Sequence, residues 1–270
     1  MLEGFHPAVA RWFEVTRSLA SVEIGAPDDV ERYFIFQTLA GAWPIERARI
    51  EAYMEKALRE AKRNTNWVDQ NREWEEAVAR FCRELYDCRP FLDEFEPFVA
   101  SLAAIGSQFA LRQHVLKLTV PGVPDIFQGQ ELPVRSLVDP DNRRPVDWDW
   151  YQASLRRLMG GGTPDAEGLK LFVTLRLLGL RARRPEPFAG GGYEPLDAGP
   201  GVCAFVRGGD VLVVVAVREG AVRDGAGGEL DALGGRWRDV LRGDERSFDG
   251  REPVSGLLDE RGVGVYERVG

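Results

Sequence analysis

Glycine divides this chain. Residues 1–120 contain four glycines, Gly4, Gly25, Gly41 and Gly106, whereas 24 of the 30 in the chain fall in residues 151–270. Glycine weakens helix interiors and serves tight turns. The first part is therefore free to form long helices, and the last third suits short strands joined by turns. Charge divides in parallel. Residues 1–150 carry 18 Lys and Arg against 25 Asp and Glu, and residues 151–270 carry 17 against 18. The expectation is an α+β, multidomain chain: a mainly helical N-terminal half, then a small antiparallel β-sandwich.

Periodicity supports the helical half. Ile50, Tyr53, Met54, Ala57, Leu58 and Ala61 fall on one helical face, and Trp74, Ala77, Val78, Phe81, Cys82 and Leu85 repeat the pattern. Asp28 and Asp29 suit the cap of a helix through Tyr33 to Ala40. Pro44 suits a helical first turn, where its missing N–H has no partner to lose. A long apolar helix is expected behind Pro90, with Pro97 as a point of kinking. At Pro121 the pattern stops. A strand is expected near Val123 to Phe127, then a polar loop from Gln130 to Asp147 and a helix from about Leu169 to Arg183. Strands are expected at 193–196, 202–207, 211–217, 236–241 and 263–269, with Gly208-Gly209 and Gly234-Gly235 as turns.

Composition excludes several functions. A net charge of −8 argues against a nucleic-acid partner. The most apolar short run, Val211 to Val217, is far below the ~20 residues a membrane span needs. No cationic stretch followed by an apolar core stands at the start, so no signal peptide is expected. Three scattered cysteines, Cys82, Cys88 and Cys203, fit a reducing cytoplasm better than a disulfide framework. With His6 and His114 as the two histidines, zinc sites and Ser-His-Asp triads are poor readings. Carboxylates are the candidate agents of any chemistry, and no Asp-rich calcium loop or other cofactor site is legible.

The informative stretch is Leu118-Thr-Val-Pro-Gly-Val-Pro-Asp-Ile-Phe-Gln-Gly-Gln-Glu131. It resembles the last barrel strand of the alpha-amylase superfamily, with its G-x-P-x-x-x-x-G-x-E pattern. The following Ser136-Leu-Val-Asp-Pro-Asp-Asn-Arg-Arg-Pro-Val-Asp147 resembles the signature of one branch, the maltooligosyl trehalose synthases. Gln37 to Pro44, Lys56 to Trp74 and Trp237 to Gly243 are similar to the same branch. The resemblance implies the C-terminal portion of such a protein. Residues 1–118 would hold helical insertions and a barrel helix, and residues 119–184 the last strand of a (β/α)8 barrel, an active-site loop and a closing helix. Residues 185–270 would form the β-domain. Phe127 stands where the branch often has Tyr, and Leu132 to Arg135 replace a Trp-Asp-Phe type of run.

What the resemblance implies chemically is a retaining intramolecular transglucosylation. The reducing-end α-1,4 bond of a maltooligosaccharide becomes an α,α-1,1 bond, through a nucleophile and an acid/base carboxylate ~5 Å apart. The motifs that carry those carboxylates have no match here, so no catalytic residue is assigned and the isolated chain is expected to be inactive. Asp139, Asp141, Asn142, Arg143 and Arg144 lie where barrel loops build sites. They are the candidate contacts to an α-1,4-glucan, or alternatively a salt-bridge network internal to the loop. Asp139 and Asp141 would point the same way in an extended loop. Lys62 and Trp67 are further sugar-contact candidates, since indole faces stack on pyranose rings; the alternative for Trp67 is burial under the next helix. Asp125, Gln128 and Glu131 are read as supporting the site. Trp12, Trp43 and Trp74 are assigned to the core, His114 to a structural hydrogen bond, and the Trp148/Trp150 pair to packing. Partners other than the glucan would be the remaining barrel portion. The rival readings are a non-catalytic glucan-binding or partner-binding remnant and the completing half of a split enzyme.

Overall fold

The computed structural model of the chain describes residues 2–221, 228–231 and 234–269. Among them no helix is long and apolar enough to cross a membrane. Contacts group the chain into two units, residues 1–104 with 134–145, and residues 105–133 with 146–270. This contact-based division is not the composition-based one, because it takes the loop at 134–145 into the helical unit.

The first unit is helical. It comprises α1 (Leu2–Val15), α2 (Asp29–Ala42), α3 (Arg47–Ala61), α4 (Arg72–Leu85) and the first half of α5 (Arg89–Thr119). Its core is rich in aromatic rings. Buried Trp12 meets Phe36, Phe91, Phe95 and Phe98 edge-on, with centroids 5.1–6.0 Å apart, the arrangement that ring quadrupoles favour. Trp43 and Trp74 pack against the same core. Helix α2 opens with a capping box: Asp28 accepts from the Glu31 amide at 2.9 Å, and Glu31 accepts from the Asp28 amide at 3.0 Å. Pro44 opens no helix. It lies between α2 and α3, and α3 starts behind its own N-cap, Glu46. A residue before proline is pushed out of the helical region, and Trp43 is accordingly extended at ψ 139°. The helix behind Pro90 forms over Arg89–Thr119, with Pro97 inside it.

The second unit joins helices to an antiparallel sheet. Residues 123–127 form no strand there, against expectation. A barrel-type strand exists through hydrogen bonds to parallel neighbours on both sides, and the described residues offer it no such ladder; Val123 is 94% exposed. Helix α6 (Trp148–Met159) forms where the sequence suggests no helix, and α7 occupies Leu169–Arg183 as expected. A short α8 (Glu186–Ala189) leads into β1 (Tyr193–Leu196), β2 (Val202–Arg207) and β3 (Val211–Ala216). Then follow β4 (Glu229–Leu230), β5 (Gly235–Asp239), β6 (Glu245–Phe248), β7 (Glu252–Pro253), α9 (Val254–Leu257) and β8 (Val263–Arg268). The six-stranded sheet runs β1-β2-β3-β8-β5-β6, and β4 pairs with β7 separately.

Both faces of this sheet are covered, so β3 is buried at every position. Val211, Val213 and Val215 face Leu111, Val115 and Leu118 of α5 and Val173, Leu177 and Leu180 of α7. Leu212, Val214 and Ala216 share the opposite cluster with Trp237, Phe248, Tyr266 and α9. Strand alternation puts successive residues on opposite faces, and here each face has its own apolar partner. Gly264 of β8 lies directly under α9: a Cβ on it would stand 2.0 Å from the Leu257 carbonyl oxygen.

Candidate functional site

The loop at 134–145 is fixed by α3. Both guanidinium nitrogens Nε and Nη2 of Arg49 reach the Asp141 carboxylate at 2.8 Å, a bidentate fork. Nη2 also donates to the Arg135 carbonyl at 2.8 Å. The Asp141 carboxylate accepts the Leu137 amide at 2.7 Å, and Arg144 approaches its other oxygen at 3.4 Å. Its side chain is 9% exposed. The Arg49 fork, helped by the Leu137 amide, holds the Asp141 carboxyl below the usual carboxylate range against the opposing effect of burial.

Asp139 behaves differently. Its carbonyl accepts from Lys56 Nζ, and its carboxylate pairs with the Arg143 guanidinium. Lys56 also stands 3.8 Å from that carboxylate. The Asp139 and Arg143 side chains are 45% and 70% exposed, so acceptor and donor are both offered to solvent. Asp141 to Arg143 form one turn of 3-10 helix. The backbone there is not extended, and the two carboxylates have different partners. The Asn142 side-chain oxygen is buried and accepts no hydrogen bond among the described residues.

Lys62 and Trp67 lie at the C-terminal end of α3. Lys62 is the C-cap and sits in the left-handed region at φ 55°. Trp67 is 51% exposed, which discards the reading that buries it under α4, and Arg59 lies 5.1 Å above its ring. Arg59 is itself anchored by Glu75 in a fork at 2.8 and 2.9 Å. Glu75 also accepts the hydroxyl of buried Thr65 at 2.7 Å. These donors, Arg59 first, hold the Glu75 carboxyl below its ordinary range. Beside this turn, residues 63–66 and 69–71 line an open polar depression of about 470 Å³.

Asp125, Gln128 and Glu131 belong to the second unit. Asp125 and Gln128 are exposed. Glu131 is half-buried, and one of its carboxylate oxygens is buried with no hydrogen-bond partner among the described residues. Tyr151, on α6, donates its hydroxyl to the Gly129 carbonyl and so fixes the turn after residue 127. Burial, and then the Glu131 charge, push that phenol up. Trp148 and Trp150 stand in the first turn of α6, 48% and 43% exposed, so they pack edge-on against Tyr151 without entering the core. His114 is buried and bonds Thr174 Oγ1 at 2.7 Å, the structural role expected of it. Among the described residues no group of His, Cys, Asp or Glu is placed to hold a metal ion.

Arg49 and Lys56 are the members of the loop site that sequence reasoning misses. They lie 92 and 83 residues from their partners, and no local pattern reports such a pairing.

Comparison with known proteins agrees with this architecture. Residues 194–262 match the family described as "Alpha amylase, C-terminal all-beta domain". Proteins from two strains of Mycobacterium tuberculosis, named "Putative maltooligosyl trehalose synthase", are 40% identical over 233 residues. That alignment takes in 81% of this chain and 29% of theirs. The solved maltooligosyltrehalose synthase of Arthrobacter ramosus superposes with a TM-score of 0.78 at 33% identity, over 96% of this chain and 35% of that one. The "DSM5389 glycosyltrehalose synthase" superposes at 0.81 and 27% identity, over 98% and 34%. The chain thus spans about a third of the length of the relatives it matches. Helical half, two-sided antiparallel sheet and sequence identity converge: over most of its length the chain is similar to a part of the maltooligosyl trehalose synthases, and it carries an amylase-type all-β domain.

Proposed function

We propose that this chain is the C-terminal part of a maltooligosyl trehalose synthase and contributes glucan contacts to its site. The observation that carries this reading is the 40% identity over 233 residues to proteins bearing that name. The reaction class is intramolecular transglucosylation with retention, in which the reducing-end α-1,4 bond of a maltooligosaccharide is re-formed as α,α-1,1. Asp139 and Arg143 supply an exposed acceptor and donor, the pair that adjacent sugar hydroxyls require. Asn142 and Arg144 flank them, and Lys62 with Trp67 offers a second contact of ammonium and indole face. Asp125, Gln128 and Glu131 support the turn that precedes the loop.

The catalytic carboxylate pair comes from elsewhere in this reading. Asp139 and Asp141 are each held by arginine rather than opposed across a substrate-sized gap. The test is product analysis of maltopentaose incubated with the purified chain, alone and with the remaining barrel portion supplied in trans. The expected result is no conversion by the chain alone and formation of a non-reducing product by the mixture. Conversion by the chain alone would overturn the assignment of the carboxylates. A folded mixture that leaves maltopentaose untouched would overturn the contribution to the synthase site.

A further inference from the structure

The loop at 134–145 has two layers, and they divide the labour. Every oxygen of the Asp141 carboxylate is occupied, by Arg49, Arg144 and the Leu137 amide. A carboxylate so engaged and 9% exposed is turned to the protein rather than offered to a sugar. Above it, Asp139 and Arg143 are open to solvent. Beneath it, Arg49 and Lys56 stand seven residues apart on α3, two helical turns along one face. Arg49 ties the loop at Arg135 and Asp141, and Lys56 ties it at Asp139. Through Asp141 the restraint extends to Leu137.

We infer that Arg49 and Lys56 are positioning residues of the glucan site. They act through Asp141 and the Asp139 carbonyl to hold the Asp139–Arg143 pair in its binding geometry, and Asp141 belongs with them rather than with the sugar contacts. The inference rests on the glucan-contact reading above. It predicts that a fork is needed, since lysine carries the charge of Arg49 without its two parallel donors. A site whose first contacts are held by such a buried partner loses binding when the partner goes, although the partner never meets the ligand.

The test uses the chain itself, with maltopentaose as the probe. Amide exchange and maltopentaose titration are followed by NMR in wild type, R49M, R49K, D141N and D139N. In R49M the Leu137 amide is expected to exchange ~10-fold faster or more, while the α4 amides keep their protection. Maltopentaose binding is expected to weaken ~5-fold or more in R49M, with R49K between R49M and wild type. D139N is expected to weaken binding with Leu137 exchange unchanged. Arg49 acting through Asp141 also requires R49M and D141N to be non-additive when combined. Wild-type exchange and affinity in R49M would overturn the inference, as would additivity in the double variant. If R49M does not fold, D141N breaks the same link from the loop side and must reproduce the faster Leu137 exchange. Faster exchange in R49M with binding untouched by D139N would instead overturn the glucan-contact reading and leave the α3 clamp standing.

Discussion

Asp139 and Asp141 are separated by a single proline, and their surroundings differ as much as those of a surface and a core residue. The sequence shows two carboxylates at a suggestive spacing. It does not show that one is claimed by an arginine 92 residues upstream. His114 is the opposite case, because burial in an apolar helix face is legible from its neighbours. The Thr174 hydroxyl donates to the Lys170 carbonyl at 2.8 Å, so its oxygen is left to accept from His114 Nε2. Burial first, then the charges of Lys170 and Lys117, lower the His114 pKa to about 4. An unfolded histidine titrates near 6.5. Between those values the unfolded chain takes up a proton that the folded chain refuses. Stability is therefore whole above about pH 6.5 and declines as the pH falls toward 4, by as much as ~3 kcal/mol. His114→Gln keeps a donor for Thr174 and removes the titration. Urea midpoints at pH 7.5 and pH 4.5 should converge in this variant, and an undiminished acid loss would place its origin in other groups.

At the scale of elements, helix α7 and strands β1 and β2 occupy the ranges expected of them. Helix α6 escapes because Trp148 and Trp150 suit a strand by propensity, while the Asp147 cap at 3.0 Å to the Trp150 amide decides for a helix. Strand β6 escapes because Glu-Arg-Ser-Phe is an edge with its charges outward, blunting the edge at the cost of any apolar signal. The strand at 123–127 is the reverse error: a β-prone run is no strand without neighbours to pair with. Helix α3 ends on a residue ill suited to its backbone. Lys62 occupies the left-handed region, which costs a non-glycine residue about 1 kcal/mol. Lys62→Gly should therefore raise the melting temperature by roughly 2–4 °C while weakening maltopentaose binding. That combination separates a sugar contact from a structural cap. A stabilised variant with unchanged affinity would remove Lys62 from the site.

At the scale of the molecule, composition carries far. The glycine-poor part is helical and the sheet lies wholly in the glycine-rich part, although α6 and α7 lie there too, and the amylase-like motif points to the relatives. The sequence conceals that the sheet is covered on both faces, because β3 reads as one apolar run whichever way its residues point. Gly264 shows how tightly that second cover fits. Gly264→Ala drives a methyl into the Leu257 carbonyl, and neither β8 nor α9 has room to yield, since Leu257 also accepts the Tyr266 hydroxyl at 2.8 Å. A loss of ~1–3 kcal/mol is expected from such overpacking, read as an earlier unfolding transition in guanidinium. An unshifted midpoint would mean that α9 is not seated on the sheet.

The position of β8 has a consequence for how the domain comes into being. It follows the other seven strands of the described residues in sequence, yet it lies between β3 and β5. Without it, β1-β2-β3 and β5-β6 are two ribbons with open inner edges, linked among the described residues outside the main sheet through the β4–β7 pair and its neighbours. A chain emerging from the ribosome must carry those edges until β8 is free, the interval in which unpaired edges invite the wrong neighbour. The β-domain is in this sense assembled from its middle outward in space but from its flanks inward in time.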